Sequence, residues 1–461
     1  MAHAIGVSRN LVVAAYEELF ADGYVEGRHG SGTFVVGDLP TLPRSTSAKA
    51  RGVGTAPRWL RGLEVRLADQ PDPTARIEFR LGQPSLEGLP WSVWREVWSG
   101  VSNRQPPSDY GLPAGELALR EALARYLGRA RGIACGPHDI VVTSGSVQAC
   151  DLLARATLAP GDAVAFEDPG YPTARGVFLA ARAEIRPIPV DDDGIRVEAL
   201  QRGADAPLLV YVTPSHQYPL GARLSFARRL ALLEWARETD GLIIEDDYDS
   251  EFRFDAPPLP ALASLDVEGR VAYVGTFSKV LSPALRLGYV VAPAPLRERL
   301  TRIKRLTDFH TPWPLQEAMA AFVEGGHLDR HVRRMRRHYA DKRAALLEAL
   351  ASVDYLARPI GIEAGLHVCV ELAPGLDANE IARVARQRGV GVSTLDHFYL
   401  RPTSRQALLL GYGGLSLDDV ALGVRTLAAV IVEASQDGRS GMTERPTLST
   451  AVERQTDRVR T

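Results

Sequence analysis

Val271-Ala272-Tyr273-Val274-Gly275-Thr276-Phe277-Ser278-Lys279 is the stretch that decides the fold of this 461-residue chain. Four apolar residues, two of them β-branched, make a run of the length and type of a buried strand. The chain then turns polar and closes on a lysine preceded by hydroxyl side chains. A lysine at a strand end beside hydroxyls can be desolvated enough to lose its proton and attack an aldehyde. Arg286 follows seven residues beyond Lys279, and Thr276, Ser278 and Arg286 together would hold a phosphate dianion.

The same kind of run recurs on the N-terminal side. Ile140-Val141-Val142, Val164-Ala165-Phe166, Leu208-Leu209-Val210-Tyr211-Val212 and Leu242-Ile243-Ile244 are continuous apolar segments separated by helical stretches. Such spacing is what a parallel sheet covered on both faces requires, and ligands of such sheets bind at the carboxyl ends of the strands. After the first run comes Thr143-Ser144-Gly145-Ser146-Val147-Gln148, opening a helix. Small residues at a helix N-terminus let backbone N–H groups approach an anion, although a tight strand-to-helix turn has the same composition. After Leu242-Ile243-Ile244 comes Glu245-Asp246-Asp247-Tyr248. Acids behind a buried strand are costly unless a cation compensates them, so a metal site or an ion pair fits. So does a carboxylate facing a pyridine nitrogen, which would keep that nitrogen protonated and make pyridoxal 5′-phosphate an electron sink. Pyridoxal phosphate carried on Lys279 is the one good explanation of the three clusters in this order.

The composition sets the bounds. Apolar residues are 45% and charged residues 24% of the chain, as in an ordinary globular protein. No run of 18 apolar residues occurs, so no membrane partner is expected. The start, Met1-Ala2-His3-Ala4, lacks the features of a signal peptide. Cys135, Cys150 and Cys369 are widely spaced and flanked by apolar residues, which excludes a disulfide framework and points to core thiols. A cytoplasmic location is expected. A formal net charge of −2 leaves nucleic-acid binding to a local patch.

Four regions follow. In residues 1–37, Ser8 is placed as an N-cap, and Leu11, Val12, Ala15, Tyr16, Leu19 and Phe20 follow at helical spacing. Gly23 is placed to end that helix in a left-handed conformation. Tyr24-Val25-Glu26 and Thr33-Phe34-Val35-Val36 flank Gly30-Ser31-Gly32, which predicts a β-hairpin. A helix followed by a short hairpin is the second half of a winged helix-turn-helix. Residues 38–76 have the composition of a linker, with Arg44, Lys49, Arg51, Arg58 and Arg61 and no acid between Leu39 and Gly62. This is a solvated tether, or one that also touches DNA phosphates. Residues 77–434 hold the α/β pattern, and the polar, aperiodic segment 435–461 is expected to be a disordered tail.

On these motifs, residues 77–434 resemble a fold type I pyridoxal phosphate enzyme of the class I and II aminotransferase group. The whole chain resembles the MocR subfamily of GntR-type transcription regulators, with Ala4-Ile5-Gly6-Val7-Ser8-Arg9-Asn10 through Gly30-Ser31-Gly32-Thr33-Phe34-Val35 matching the recognition helix and wing. The resemblance implies an α/β fold with a mostly parallel sheet and a smaller C-terminal α+β subdomain, behind an incomplete winged helix-turn-helix. It implies catalytic roles for Lys279 as Schiff-base lysine, Asp246 as partner of the pyridine nitrogen and Tyr248 as donor to the phenolic oxygen. Ser146 and the backbone of Val147 would form the phosphate cup with Thr276, Ser278 and Arg286. Tyr171, within Glu167-Asp168-Pro169-Gly170-Tyr171-Pro172, would stack on the ring, although a tyrosine packed in a turn reads the same way; Tyr110 would reach a phosphate across a homodimer. Ser8, Arg9, Asn10, Arg28 and His29 would contact DNA.

Three departures bear on function. The family's carboxylate-clasping arginine falls at Leu409, in Leu408-Leu409-Leu410-Gly411-Tyr412, with Arg401 and Arg405 as substitutes in a polar loop. The family's Asn-Pro-x-Gly loop reads Tyr218-Pro219-Leu220-Gly221, without the asparagine. The N-terminal part also lacks the helix that precedes the matching region in such regulators, and residues 1–36 sum to −2, with Arg9 and Arg28 against Glu17, Glu18, Asp22 and Glu26. A start codon assigned too far downstream accounts for this better than a truncated regulator. The resemblance implies a regulator that binds an amine or amino-acid effector as an external aldimine and alters DNA binding. The alternative is an aminotransferase with a relic N-terminal segment, from which a lyase on the same fold is not separable.

Overall fold

The computed structural model describes residues 1–37, 75–254 and 260–443, the side chains of 437–443 excepted. The chain divides into two units, Met1–Gly62 and Leu63–Thr461. Almost all of the expected linker, with its five basic residues, lies outside the described residues.

In the first unit a helix spans Arg9–Ala21, and the Ser8 hydroxyl accepts a bond from the Leu11 N–H at 3.3 Å. Gly23 has φ +74°. The Gly23 N–H donates to Phe20 and the Tyr24 N–H to Leu19, which satisfies the last carbonyls as a Schellman cap does. The hairpin pairs β1 (Val25–Arg28) with β2 (Gly32–Val35) in the register Val25↔Val35 to Arg28↔Gly32. No residue of the helix is fully buried.

The second unit is built on an eight-stranded sheet. In chain order its strands are β3 (Ile140–Thr143), β4 (Ala163–Asp168), β5 (Glu184–Asp191), β6 (Gly194–Ile195), β7 (Leu209–Val212), β8 (Leu242–Asp247), β9 (Val271–Thr276) and β10 (Gly288–Val291). They lie in the order β3-β10-β9-β8-β7-β4-β5-β6. The five expected apolar runs are all strands, and β9-β8-β7-β4-β5 are parallel. The antiparallel β10 was not foreseen, since Gly288-Tyr289-Val290-Val291 carries no sign of direction. Every residue of β3, β7 and β9 is buried. One face packs on the helices Ser146–Thr157 and Pro172–Ala180 through Leu152, Leu153, Phe166 and Phe178. Elsewhere the sheet is covered by Leu123, Leu127, Met319 and Phe322, and by Trp235 of the helix Phe226–Thr239.

A smaller antiparallel sheet joins Ala357–Ile360, His367–Leu372, Ala407–Gly411 and Ser393–Thr394, in that order. The helix Leu417–Thr443 carries through the start of the expected tail instead of ending at 434. A helix already nucleated on a packed face gains a backbone bond with each added residue and needs no apolar partner for it. Of the three thiols, Cys150 and Cys369 are buried, and Cys135 is only partly so.

Candidate cofactor site

The polar residues at the carboxyl ends of β3, β8 and β9 and just beyond them converge on one cavity of about 190 Å³. Its lining brings together Ser146, Val147, Tyr171, Asp246, Tyr248, Thr276, Ser278, Lys279 and Arg286. Of the expected cofactor residues Tyr110 alone is not brought there; it is 72% exposed and packs on Phe309.

The Lys279 amine donates to the Gly82 carbonyl at 2.8 Å. Burial pulls its pKa below the ordinary lysine range, and Arg286 adds to this, while Asp249 and Asp246 pull the other way. Gly82 has φ +68°, and a Cβ on it would stand 2.6 Å from Nζ, so a glycine is what lets the backbone approach. Asp246 is fully buried. Tyr211 donates to its Oδ2 at 2.6 Å, and Oδ1 has no hydrogen-bond partner among the described residues. Burial raises its carboxyl to about 6 against the opposing Tyr211 bond, with nearby Asp247 raising it further.

The acidic run is sorted by strand alternation. Asp246 faces the cavity. Asp247 forms a buried ion pair with Arg131 at 2.6 Å and accepts from Tyr273 and Ser250. Glu245 accepts the Leu262 and Ala263 N–H groups at 2.9 and 2.8 Å. The ion-pair expectation therefore describes Asp247, and the cofactor expectation suits Asp246. At the other end, Arg286 donates to the Ser144 carbonyl at 2.9 Å over the start of the helix Ser146–Thr157. A Cβ on Gly145, where φ is +97°, would meet its Nη2 at 3.0 Å. The Thr276 and Ser278 hydroxyls lie 3.0 Å apart. Cation, hydroxyls and helix N-terminus make a cradle for a dianion.

These residues fit pyridoxal phosphate on three counts: a buried amine of lowered pKa, an orphaned carboxylate oxygen and an anion cradle. Tyr171 stands on the cavity wall, edge-on to Tyr218 at 5.3 Å between ring centroids. Tyr211, Thr213, Tyr218, Leu81, Gly82 and Pro283 complete the lining and were missed from the sequence. Tyr211 left a trace, a hydroxyl inside an otherwise aliphatic buried strand, which must find a partner. Gly82, 197 residues from Lys279, left none.

Leu409 is fully buried and packs in an apolar cluster with Leu220, Cys369, Leu395 and Phe398. Neither proposed substitute lines the cavity. Arg405 is committed to Glu371 at 2.5 Å, and Arg401 is exposed. A neighbouring recess of about 370 Å³ shares Leu81, Tyr171 and Tyr218 with the cavity and holds Arg80 and Arg386, the latter 3.6 Å from Glu78.

In the first unit, the Ser8 hydroxyl is engaged as the helix cap, and Arg9, Asn10 and His29 are exposed. Arg28 donates to Glu26 at 2.9 and 2.7 Å and lies over the Phe34 ring. An exposed pair of this kind is worth at most about 1 kcal/mol and would yield to a phosphate.

The aminotransferase class I and II family profile matches residues 81–408. The chain is 36% identical to "Probable rhizopine catabolism regulatory protein MocR" of Rhizobium meliloti, over 95% of this chain and 89% of that one. It is 32% identical to "HTH-type pyridoxine biosynthesis transcriptional regulator PdxR" of Corynebacterium glutamicum, over 94% and 88%. The crystal structure of Pyrococcus horikoshii kynurenine aminotransferase in complex with PMP superposes with a TM-score of 0.72 at 32% identity, covering 77% of this chain and 91% of that one.

Two predictions follow from the geometry. Because the Asp246 carboxyl is raised to about 6, its favourable share of stability is present below the unfolded value, near 3.9, and is lost as pH rises through about 6. In cofactor-free protein at pH 8, Asp246→Asn is expected to raise stability by about 1–3 kcal/mol in urea unfolding, while loosening cofactor retention. Leu409→Arg places a guanidinium in an apolar cluster. It is expected to cost several kcal/mol in the same assay rather than to create a carboxylate clasp.

Proposed function

Because the chain belongs to the MocR family of GntR-type transcription regulators, with a class I and II aminotransferase domain, we propose that it is a pyridoxal-phosphate-dependent regulator. An amine or amino-acid effector is sensed at the Lys279 cavity, and DNA binding changes in response. The observation that carries this is an intact cofactor cradle beside a carboxylate-clasp position filled by the buried Leu409. When bound, pyridoxal phosphate supplies an aldehyde reactive toward amines and an electron-withdrawing ring.

Lys279 would hold the cofactor through that aldehyde, helped by an amine that burial keeps easier to deprotonate. Asp246 would accept from the ring nitrogen through the oxygen that Tyr211 leaves free. Tyr248 would donate to the phenolic oxygen, and Tyr171 would cover one face of the ring. Ser146, the Val147 N–H, Thr276, Ser278 and Arg286 would bind the phosphate. The effector would enter by the adjoining recess, where Arg80 and Arg386 favour an acidic group remote from the amine. In the first unit, Ser8, Arg9, Asn10, Arg28 and His29 would meet DNA. A homodimer would let Tyr110 reach its partner's phosphate, and the cytoplasm would be the site of action.

A plain aminotransferase is the second reading, and the complete Lys279, Asp246 and Tyr248 set favours it. The two part on rate and on DNA. Purified protein incubated with pyridoxal phosphate is expected to show visible absorbance that borohydride traps at Lys279, and Lys279→Ala is expected to lose both. The protein is expected to bind DNA from upstream of its own gene in a salt-sensitive way that an effector amine alters. Transamination of common amino acids at about 1 per second or faster would overturn the regulator. A protein that stays colourless would overturn the cofactor site.

A further inference from the structure

Next to Tyr248, outside the cavity lining, lies a buried cluster that the functions above do not use. The His216 and Asp249 side chains are 1% and 2% exposed, and His216 Nδ1 is 2.9 Å from Asp249 Oδ2. The Tyr248 hydroxyl oxygen stands 3.0 Å from that same Nδ1. His216 Nε2 lies 3.4 Å from the Gly361 carbonyl, and the His367 ring packs 4.9 Å away, its Nε2 donating to the Pro219 carbonyl at 3.0 Å. The backbone presses on the pair: a Cβ on Gly365, where φ is +85°, would fall 2.1 Å from His216 Cε1 and 2.7 Å from Asp249 Oδ2. The ring therefore has little room to turn.

Hydrogen bookkeeping assigns the tautomer. A carboxylate can only accept, and Asp249 Oδ1 already has no hydrogen-bond partner among the described residues. A bare Nδ1 would set one lone pair against another inside the protein. So Nδ1 carries the proton and donates to Asp249. Tyr248 cannot donate to a nitrogen that is itself a donor, and its hydroxyl hydrogen has to turn toward the cavity. His216, Asp249 and His367 could also suggest a metal site, since their ligand atoms fall within 4.8 Å of one another. The 2.9 Å spacing is a hydrogen bond, however, and is shorter than the roughly 3.3 Å that separates two ligands of a tetrahedral ion with bonds near 2.0 Å.

We infer that Asp249 and His216 form a positioning dyad that holds the Tyr248 hydroxyl as a donor to the cofactor's phenolic oxygen. The inference rests on the cofactor site proposed above. It assigns to His216 and Asp249 the support that an asparagine in the Tyr218-Pro219-Leu220-Gly221 loop would otherwise supply. A donor to the phenolic oxygen stabilises negative charge there and weakens that oxygen's hold on the proton of the adjacent Lys279 nitrogen. Losing the donor raises the pH at which that nitrogen deprotonates. Losing the Asp249 charge alone would lower it, because Asp249 holds the Lys279 amine up. The sign of the change therefore separates positioning from simple charge. The other groups facing Tyr248 and Lys279 are Asp246, Glu167, Tyr218, Arg286 and His367, and burial holds His367 neutral by pushing it down to about 3.

The test is a pH titration of the visible absorbance of full-length protein loaded with pyridoxal phosphate. His216→Leu, Asp249→Asn and Tyr248→Phe are each expected to move the midpoint upward by about 1 unit. His216→Gln, which keeps an N–H for Asp249, is expected to stay near the parent value and guards against a misfolded leucine variant. Tyr248→Phe combined with Asp249→Asn is expected to rise no further than Tyr248→Phe alone. A lower midpoint in Asp249→Asn, or an unchanged one in folded His216→Leu, overturns the dyad and leaves the cofactor site standing. One equivalent of zinc in the purified protein also overturns it, since Nδ1 would then be a ligand. A parent without the absorbance overturns both.

Discussion

Asp246 is an almost wholly buried acid, with one oxygen accepting from Tyr211 and the other without a hydrogen-bond partner among the described residues. Burying a lone carboxylate costs several kcal/mol, and a cation or a donor must recover it. A protonated ring nitrogen is a partner of the right kind, and the strand ladder sets where it must lie. Asp246 pairs in register with Val274 on the neighbouring parallel strand, and the chain beyond Val274 leads through Gly275 to Lys279. The same ladder thus fixes the anchor and the carboxylate relative to one another. The Ser144-Gly145 turn and Arg286 then close the far end.

The surrounding acids are tolerated because each has its own compensation. Asp247 has a guanidinium and two hydroxyls, Glu245 has two backbone N–H groups, and Glu167 accepts from Thr213 and Gln217. A run of acids that looks like one site is therefore three environments, divided by the two-residue period of the strand. Asp249, past the strand end, has the His216 ring as its side-chain hydrogen-bond partner among the described residues, with the Lys279 amine acting on it by charge.

This division explains what could be seen in the sequence. Apolar runs, hydroxyls and glycine at strand ends are local signals, so the parallel strands and the Lys279, Asp246, Ser146 and Arg286 cluster could be read in advance. The Ser8 cap and the Gly23 terminus were legible for the same reason. Gly82 and the Asp249–His216 pair depend on contacts between segments distant in the chain, and no local pattern marks them. The start of the tail was set too early at 435, because polarity was taken for the end of the helix, whereas helix propagation from a packed segment needs no apolar face; residues beyond 443 lie outside the described residues.

Leu409 raises the question of what such a cavity is for. An enzyme gains rate only from contacts stronger in the transition state than in the ground state. A sensor needs only that its ligand bind one of two arrangements more tightly than the other. A guanidinium clasp on an α-carboxylate orients a substrate for proton removal, and a buried leucine cannot replace it. Holding the cofactor, by contrast, asks nothing of that position. On the function proposed above, a chain that keeps the cradle and carries apolar packing at the clasp position would retain the reactive aldehyde as a means of recognising amines. Selectivity would then come from elsewhere, and the adjoining recess, with Arg80 and Arg386 beside Glu78, offers charge outside the cofactor cradle. That recess is walled by Tyr171 and Tyr218, which also line the cofactor cavity, so an effector there would touch the ring's own supports.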